Sequence, residues 1–113
     1  MASTQQVVVV TTAASSSPIT GTVTTTGNTP TFTPQLGRDM YLTLSGTFSG
    51  TVQVQRTTDN GSTWNNITIS GGQQWGHYTG ACDEVVETPT DSASKYRLSI
   101  TLSSGSVTYR LAQ

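Results

Sequence analysis

One histidine (His77), one cysteine (Cys82), one lysine (Lys95) and six carboxylates (Asp39, Asp59, Asp83, Glu84, Glu87 and Asp91) make up most of the acid, base and nucleophile inventory of this 113-residue chain. Enzymes assemble convergent acids, bases, nucleophiles or metals, so a set this thin predicts a non-enzymatic protein. A Ser-His-Asp triad can be drawn from His77 and any carboxylate, but Thr and Ser supply roughly a third of the residues and make such a match worthless. No Gly-x-Ser-x-Gly elbow occurs. His77 with Cys82 is too small a set for zinc, and a lone cysteine forms no disulfide within the chain, so Cys82 is expected to be a buried or indifferent thiol. Asp83, Glu84, Glu87 and Asp91 are the one acidic cluster. Oxygen ligands of this kind can hold calcium, but the spacing lacks an EF-hand-type loop, and the plainer reading is a solvated acidic loop. The sequence therefore implies no cofactor and no metal.

A second chemistry lies in the aromatics. Trp75, His77 and Tyr78 fall within four residues, and such a group can form a stacking platform for a sugar or a base. On a strand, Trp75 and His77 share one face and Tyr78 takes the other. The competing expectation is that one of the two tryptophans, Trp64 or Trp75, anchors the core. Arg56, Arg97 and Arg110 are expected on strand faces opposite the apolar sets, solvated or making subunit contacts.

The elements that must position these groups follow from composition and alternation. Five basic and six acidic residues leave a net charge of −1, without the Lys/Arg clusters of a nucleic-acid footprint or a polybasic membrane anchor. Leu, Ile, Val and Phe total 22 of 113, close to the ~20% line below which disorder sets in, but disorder by that route also needs high net charge. Here the apolar residues alternate with Thr, Ser and Gln, the pattern of half-buried strands. The N-terminal stretch has no positive n-region and an apolar run of only four valines, which predicts neither a signal peptide nor a transmembrane span and hence synthesis in a cytoplasm. Two glycosylation sequons, at Asn60 and Asn66, are discounted for want of a secretory signal.

Residues 5–12 (QQVVVVTT) form a β-branched run, and residues 19–26 a weak or edge strand. Pro30 and Pro34 flank Phe32 and forbid a central strand there. From residue 38 the signal strengthens. Met40, Leu42 and Leu44 alternate with polar residues, as do Val52 and Val54, and Asp59-Asn60-Gly61-Ser62 is a hairpin turn leading to a return strand over 64–69. A bulge near Asn65-Asn66 would put Trp64, Ile67 and Ile69 on one face. Gln73 to Thr79 and Glu84 to Thr88 are further short strands. Tyr96, Leu98, Ile100 and Leu102, then Val107, Tyr109 and Leu111, form the clearest hairpin. Eight or nine short strands and no helical periodicity predict an all-β fold, a single antiparallel β-sandwich of jelly-roll type with Val52, Val54, Leu98, Ile100 and Leu102 in its core. Residues 38–113 form that sandwich. Residues 1–37 read as an extended N-terminal arm with weak strands, rich in β-propensity and poor in apolar surface, suited to pairing with neighbours.

The stretch PQLGRDMYLTLSGTFSGTVQVQRTTDNGSTW (34–64) and the ending KYRLSITLSSGSVTYRLAQ resemble small virion proteins of tailed bacteriophages. There a Leu-x-Leu-Ser-Gly-Thr-Phe-x-Gly-Thr-Val-x-x-x-Arg strand leads to an Asp-Asn/Gly-Gly-x-Thr-Trp hairpin and the chain closes with Tyr-Arg-Leu. The resemblance implies a head decoration (cement) protein on the outer capsid surface of the virion. Its partners would be the major capsid protein and further copies of itself, as a dimer or trimer, with no nucleic acid and no membrane. On this reading Val7, Val8, Val9, Val10 and Phe32 make the assembly contacts. The rival expectation is a carbohydrate-binding module of a tail or head fibre, recognising a host surface through Trp75, His77 and Tyr78.

Overall fold

The computed structural model describes residues 16–113. The first β-branched run and Val7 to Val10 lie outside the described residues. From there the chain forms β1 (Ile19–Val23), β2 (Gly27–Asn28), β3 (Met40–Ser45), β4 (Phe48–Thr57), β5 (Asn65–Asn66), β6 (Thr68–Ile69), β7 (Gln73–Gln74), β8 (His77–Tyr78), β9 (Cys82–Glu87), β10 (Lys95–Gly105) and β11 (Val107–Ala112). One sheet has the order β1-β11-β3-β9; the other has the order β2-β10-β4-β5, with β8 also paired to β4. The strands β6 and β7 form a separate small ribbon.

Every pairing is antiparallel, and the outermost strands in sequence pair with one another: β1 with β11, β2 with β10, β3 with β9, and β4 with β5 and β8. That nesting is one long hairpin rolled up so that its successive layers alternate between two sheets, which is the jelly roll. The expected β-sandwich is thus the observed fold.

The core is the alternation seen in the sequence. Met40, Leu42 and Leu44 on β3, Val52 and Val54 on β4, Tyr96, Leu98 and Ile100 on β10, and Val107, Tyr109 and Leu111 on β11 all face inward and are buried. Leu98 sits opposite Val54, and Ile100 opposite Val52. Leu102, expected in the core, is only half-buried: the register of β10 on β4 shifts between Leu102 and Ser104, at the end of the sheet.

Phe32 departs from its expected role. Placed by the sequence reading at an assembly contact, it is fully buried in the core. Its N–H donates to Tyr96 O at 2.7 Å and its carbonyl accepts from Tyr96 N at 2.9 Å. Pro30 and Pro34 do keep this segment at a sheet edge, because neither can donate to a ladder. An edge position still sends alternate side chains inward, and Phe32 fills the space over Tyr96.

The Asn60-Gly61 turn forms as expected, with φ of 61° and 95°, the left-handed geometry that Asn and Gly tolerate. Asp59 Oδ1 accepts from Thr63 N at 2.8 Å and from the Thr57 hydroxyl at 2.7 Å. These bonds hold its carboxyl below the usual carboxylate range. The return strand is shorter than expected. Ile67 enters the core, but Trp64 lies on the outer face and Ile69 is exposed, so the bulge does not bring the three together.

Candidate functional site

The four carboxylates clustered in sequence are dispersed in space, because β9 sends alternate residues to opposite faces. Asp83 accepts from the Thr43 hydroxyl at 3.0 Å. Glu84 pairs with the hydroxyl of Tyr78. Glu87 accepts from the hydroxyl of Tyr96, and Asp91 Oδ1 caps the N–H of Ala93 at 2.9 Å. Among the described residues no three His, Cys, Asp or Glu side chains gather as a metal-binding group. Cys82 is half-buried beside Leu42, and burial together with Glu84 pushes its thiol up, which disfavours the nucleophilic thiolate.

The arginines divide in a way the sequence reading missed. Arg97 and Arg110 lie on outer faces as expected. Arg56 instead shares the face of Val52 and Val54, opposite Tyr96, and lies near the tyrosine hydroxyl that Glu87 accepts from. Arg56 and Glu87 line a polar cleft of about 310 Å³ with Asn65, Asn66, Thr58 and Thr68. Residue parity places Arg56 on the inner face; it is tolerated there because it emerges at the rim of the sandwich, with its charge in solvent.

Neither tryptophan anchors the core; Tyr96 and Phe32 do so. On the outer face of the second sheet the Arg97 guanidinium lies 4.4 Å from the centre of the Trp64 ring. Arg97 Nε also donates to Gln55 Oε1 at 2.8 Å, and Gln55 Nε2 to Asn66 Oδ1 at 2.9 Å.

Trp75 bridges the two sheets at their open edge, its Nε1–H donating to the Val86 carbonyl of β9 at 2.8 Å. With Gln74, Gly76, His77, Tyr78 and Glu84 it lines a cleft of about 150 Å³. The three aromatic residues singled out in sequence are therefore together, joined by Glu84 from the other sheet. Tyr78 pairs opposite Val52 and packs against the core, whereas His77 pairs opposite Gln53 on the outer side. Burial, reinforced by Glu84, raises the Tyr78 hydroxyl above the ordinary tyrosine range, so it remains a proton donor.

The backbone under this cleft is locked. Gly76 is buried at φ 60°, and a Cβ there would meet Ile67 Cδ1 at 2.8 Å and Val54 Cβ at 3.1 Å. Val54 holds both ends of the excursion that carries β6 and β7: its N–H donates to Gly76 O at 2.8 Å and its carbonyl accepts from Ile67 N at 3.2 Å. Gln53 Nε2 donates to the carbonyls of Trp75 and Val54, both at 2.9 Å, and its Oε1 meets His77 Nδ1 at 3.1 Å. Two bonds to carbonyls identify the amide nitrogen of Gln53, so His77 Nδ1 is the donor and Nε2 is the acceptor of the neutral ring. Gln53 and Glu84 were not among the residues expected here. The alternation of Gln with Val on β4 marked Gln53 only as a polar-face residue, and Glu84 reaches the cleft through the packing of the two sheets.

The Gln113 amide ties the two ends of the described chain. Its Oε1 accepts from the Ser16 hydroxyl at 2.5 Å and from Gln35 N at 2.7 Å; its Nε2 donates to the carbonyls of Gln35 and Arg38, both at 2.9 Å. In the same end of the first sheet, Ala112 pairs with Tyr41 and Tyr41 with Val85. Tyr41 and Val85 are exposed to 45% and 40%.

Searches against protein-family models, curated proteins and solved structures find no match to this chain.

Proposed function

We propose that this chain is a non-enzymatic decoration (cement) protein of a tailed-phage head, binding across capsomers on the outer capsid surface as a homo-oligomer. The observation that carries this reading is the end of the first sheet. Ser16, the first described residue, is held there by Gln113, and Tyr41 and Val85 stand exposed side by side in the row that Ala112 begins. The β-branched run at Val7 to Val10 in the sequence and a paired, exposed Tyr41 and Val85 fit burial against a neighbouring shell or subunit, which single exposed apolar residues would not require. The resemblance of residues 34–64 and of the C-terminal hairpin to phage virion proteins points the same way.

Deletion of residues 1–12 is expected to leave a folded domain, with the amide spectrum of the sandwich preserved, that no longer binds phage heads in a sedimentation assay. Undiminished binding overturns the assignment of assembly to this segment. Copy number on purified heads is the second measure: a number comparable to that of the major capsid protein supports cement, and a handful of copies supports a fibre or neck component.

A further inference from the structure

We infer that the cleft between β8 and β9 is a binding site for a neutral saccharide, with Trp75 as its stacking surface and Glu84 and His77 as its hydroxyl acceptors. The site lies outside the surface assigned to assembly, and either assignment can fail without the other.

The first argument is the state of Trp75. An indole is the costliest side chain to leave in water, yet Trp75 is 37% exposed while the buried aromatic positions go to Phe32 and Tyr96. Its one polar atom is committed to Val86 O. The ring is thus fixed in orientation and presents an apolar surface with no remaining donor of its own.

The second argument is preorganisation. Gly76 admits no side chain, Val54 closes both ends of the excursion, and Gln53 binds the Trp75 carbonyl and orients His77. A site whose supporting shell is locked loses little conformational entropy on binding. Gln53 is itself 7% exposed, a polar side chain buried with its bonds directed at the segment under the cleft.

The third argument selects the ligand. Glu84 brings carboxylate acceptors, His77 brings Nε2 as an acceptor, and Gln74 adds an amide that both donates and accepts. Acceptors beside a fixed indole suit a molecule with an apolar C–H face and several hydroxyl donors. An anionic sugar is disfavoured by Glu84. A quaternary ammonium would want several ring faces around one point, whereas the Tyr78 ring packs against the core and offers its hydroxyl end to Glu84. The cleft of about 150 Å³ is below the usual drug-sized pocket and suits one terminal sugar ring.

The test uses the full chain carrying Trp64→Phe, which leaves Trp75 as the sole tryptophan. Cellotriose, maltotriose and N,N′,N″-triacetylchitotriose are titrated while the Trp75 fluorescence and indole N–H resonance are followed, with a trigalacturonate and choline as controls. At least one neutral trisaccharide is expected to shift both signals saturably, and Glu84→Gln to weaken that binding about tenfold, the size of one lost hydrogen bond to a charged group. Trp75→Ala is expected to abolish it. Because Trp75→Ala also frees the Val86 carbonyl, Glu84→Gln, an exposed and isosteric change, decides the matter if the alanine variant unfolds. No response to any neutral trisaccharide, a stronger response to trigalacturonate or choline, or binding unchanged in Glu84→Gln overturns the inference.

Discussion

The β4–β10 ladder and the excursion 67–76, pinned to β4 at Val54, are held by different means. The ladder runs from Lys95 opposite Thr57 to Gly105 opposite Phe48. Its position is over-determined by repeated backbone pairs and by side chains that alternate between core and solvent. The excursion is fastened at its root, where Val54 holds Ile67 and Gly76, and by side-chain bonds from Gln53 and Trp75. A ladder distributes its stability over many equivalent contacts. A pinned excursion concentrates it in a few, which makes it the natural place to present an exposed aromatic and also the easier place to open by one substitution.

The largest expected effect is in the ladder. Leu98→Ala removes a fully buried side chain packed between the sheets and should cost about 2–5 kcal/mol of global stability, measured by urea unfolding. All core amides should lose exchange protection together. If only a subset does, the two sheets are not one cooperative unit. Gly76→Ala comes next. It forces a left-handed residue with a Cβ against Ile67 and Val54, at about 1–3 kcal/mol. Here hydrogen exchange should increase first at Val54 and Ile67, whose amides close the root, with β10 and β11 still protected. Uniform loss of protection would show that the excursion and the ladder share one stability.

The smallest effect is alkaline. Burial, helped by a carboxylate partner in each case, raises the hydroxyls of Tyr78 and Tyr96 above the ordinary tyrosine range. A raised folded-state value means that the stabilisation is complete below the unfolded pKa of ~10 and is lost as pH climbs above it. Melting temperature should therefore be nearly insensitive to the ionisation of these tyrosines at neutral pH and fall above about pH 10. Tyr96→Phe should flatten that fall from the rim of the core, and Tyr78→Phe from the cleft. A profile unchanged by both variants rules out the Glu84 and Glu87 pairings as its source.

Much of the ladder was legible from alternation alone. Met40 to Leu44, Val52 and Val54, Tyr96 to Ile100 and Val107 to Leu111 each place their apolar set on one face, because a strand has a period of two. The Asn60-Gly61 turn was legible because few residue pairs accept its geometry. The excursion was not, since its short strands carry no periodicity and its shape rests on Gln53, a residue distant in the chain. Arg56 was misplaced by reading charge where parity decides the face. Phe32 was assigned to assembly with the N-terminal arm, but an edge segment flanked by prolines still turns alternate side chains toward the core.

The aromatic group shows the same division. Its three members were recognisable by type and nearness in sequence, but a strand reading gave Trp75 and His77 a common face and could not supply Glu84. Glu84 arrives because β9 belongs to the opposite sheet, and Trp75 spans the gap to that strand.

By itself the sequence determined an all-β sandwich: low charge, β-branched and Thr-rich strands, and turns at glycines are local properties that each segment carries alone. Only the tertiary structure decided which strands share a sheet, which aromatics leave the core and which acids meet a partner. In a jelly roll the pairings nest, β1 with β11 and β2 with β10, so each residue's neighbours are chosen by segments that lie far from it in the chain.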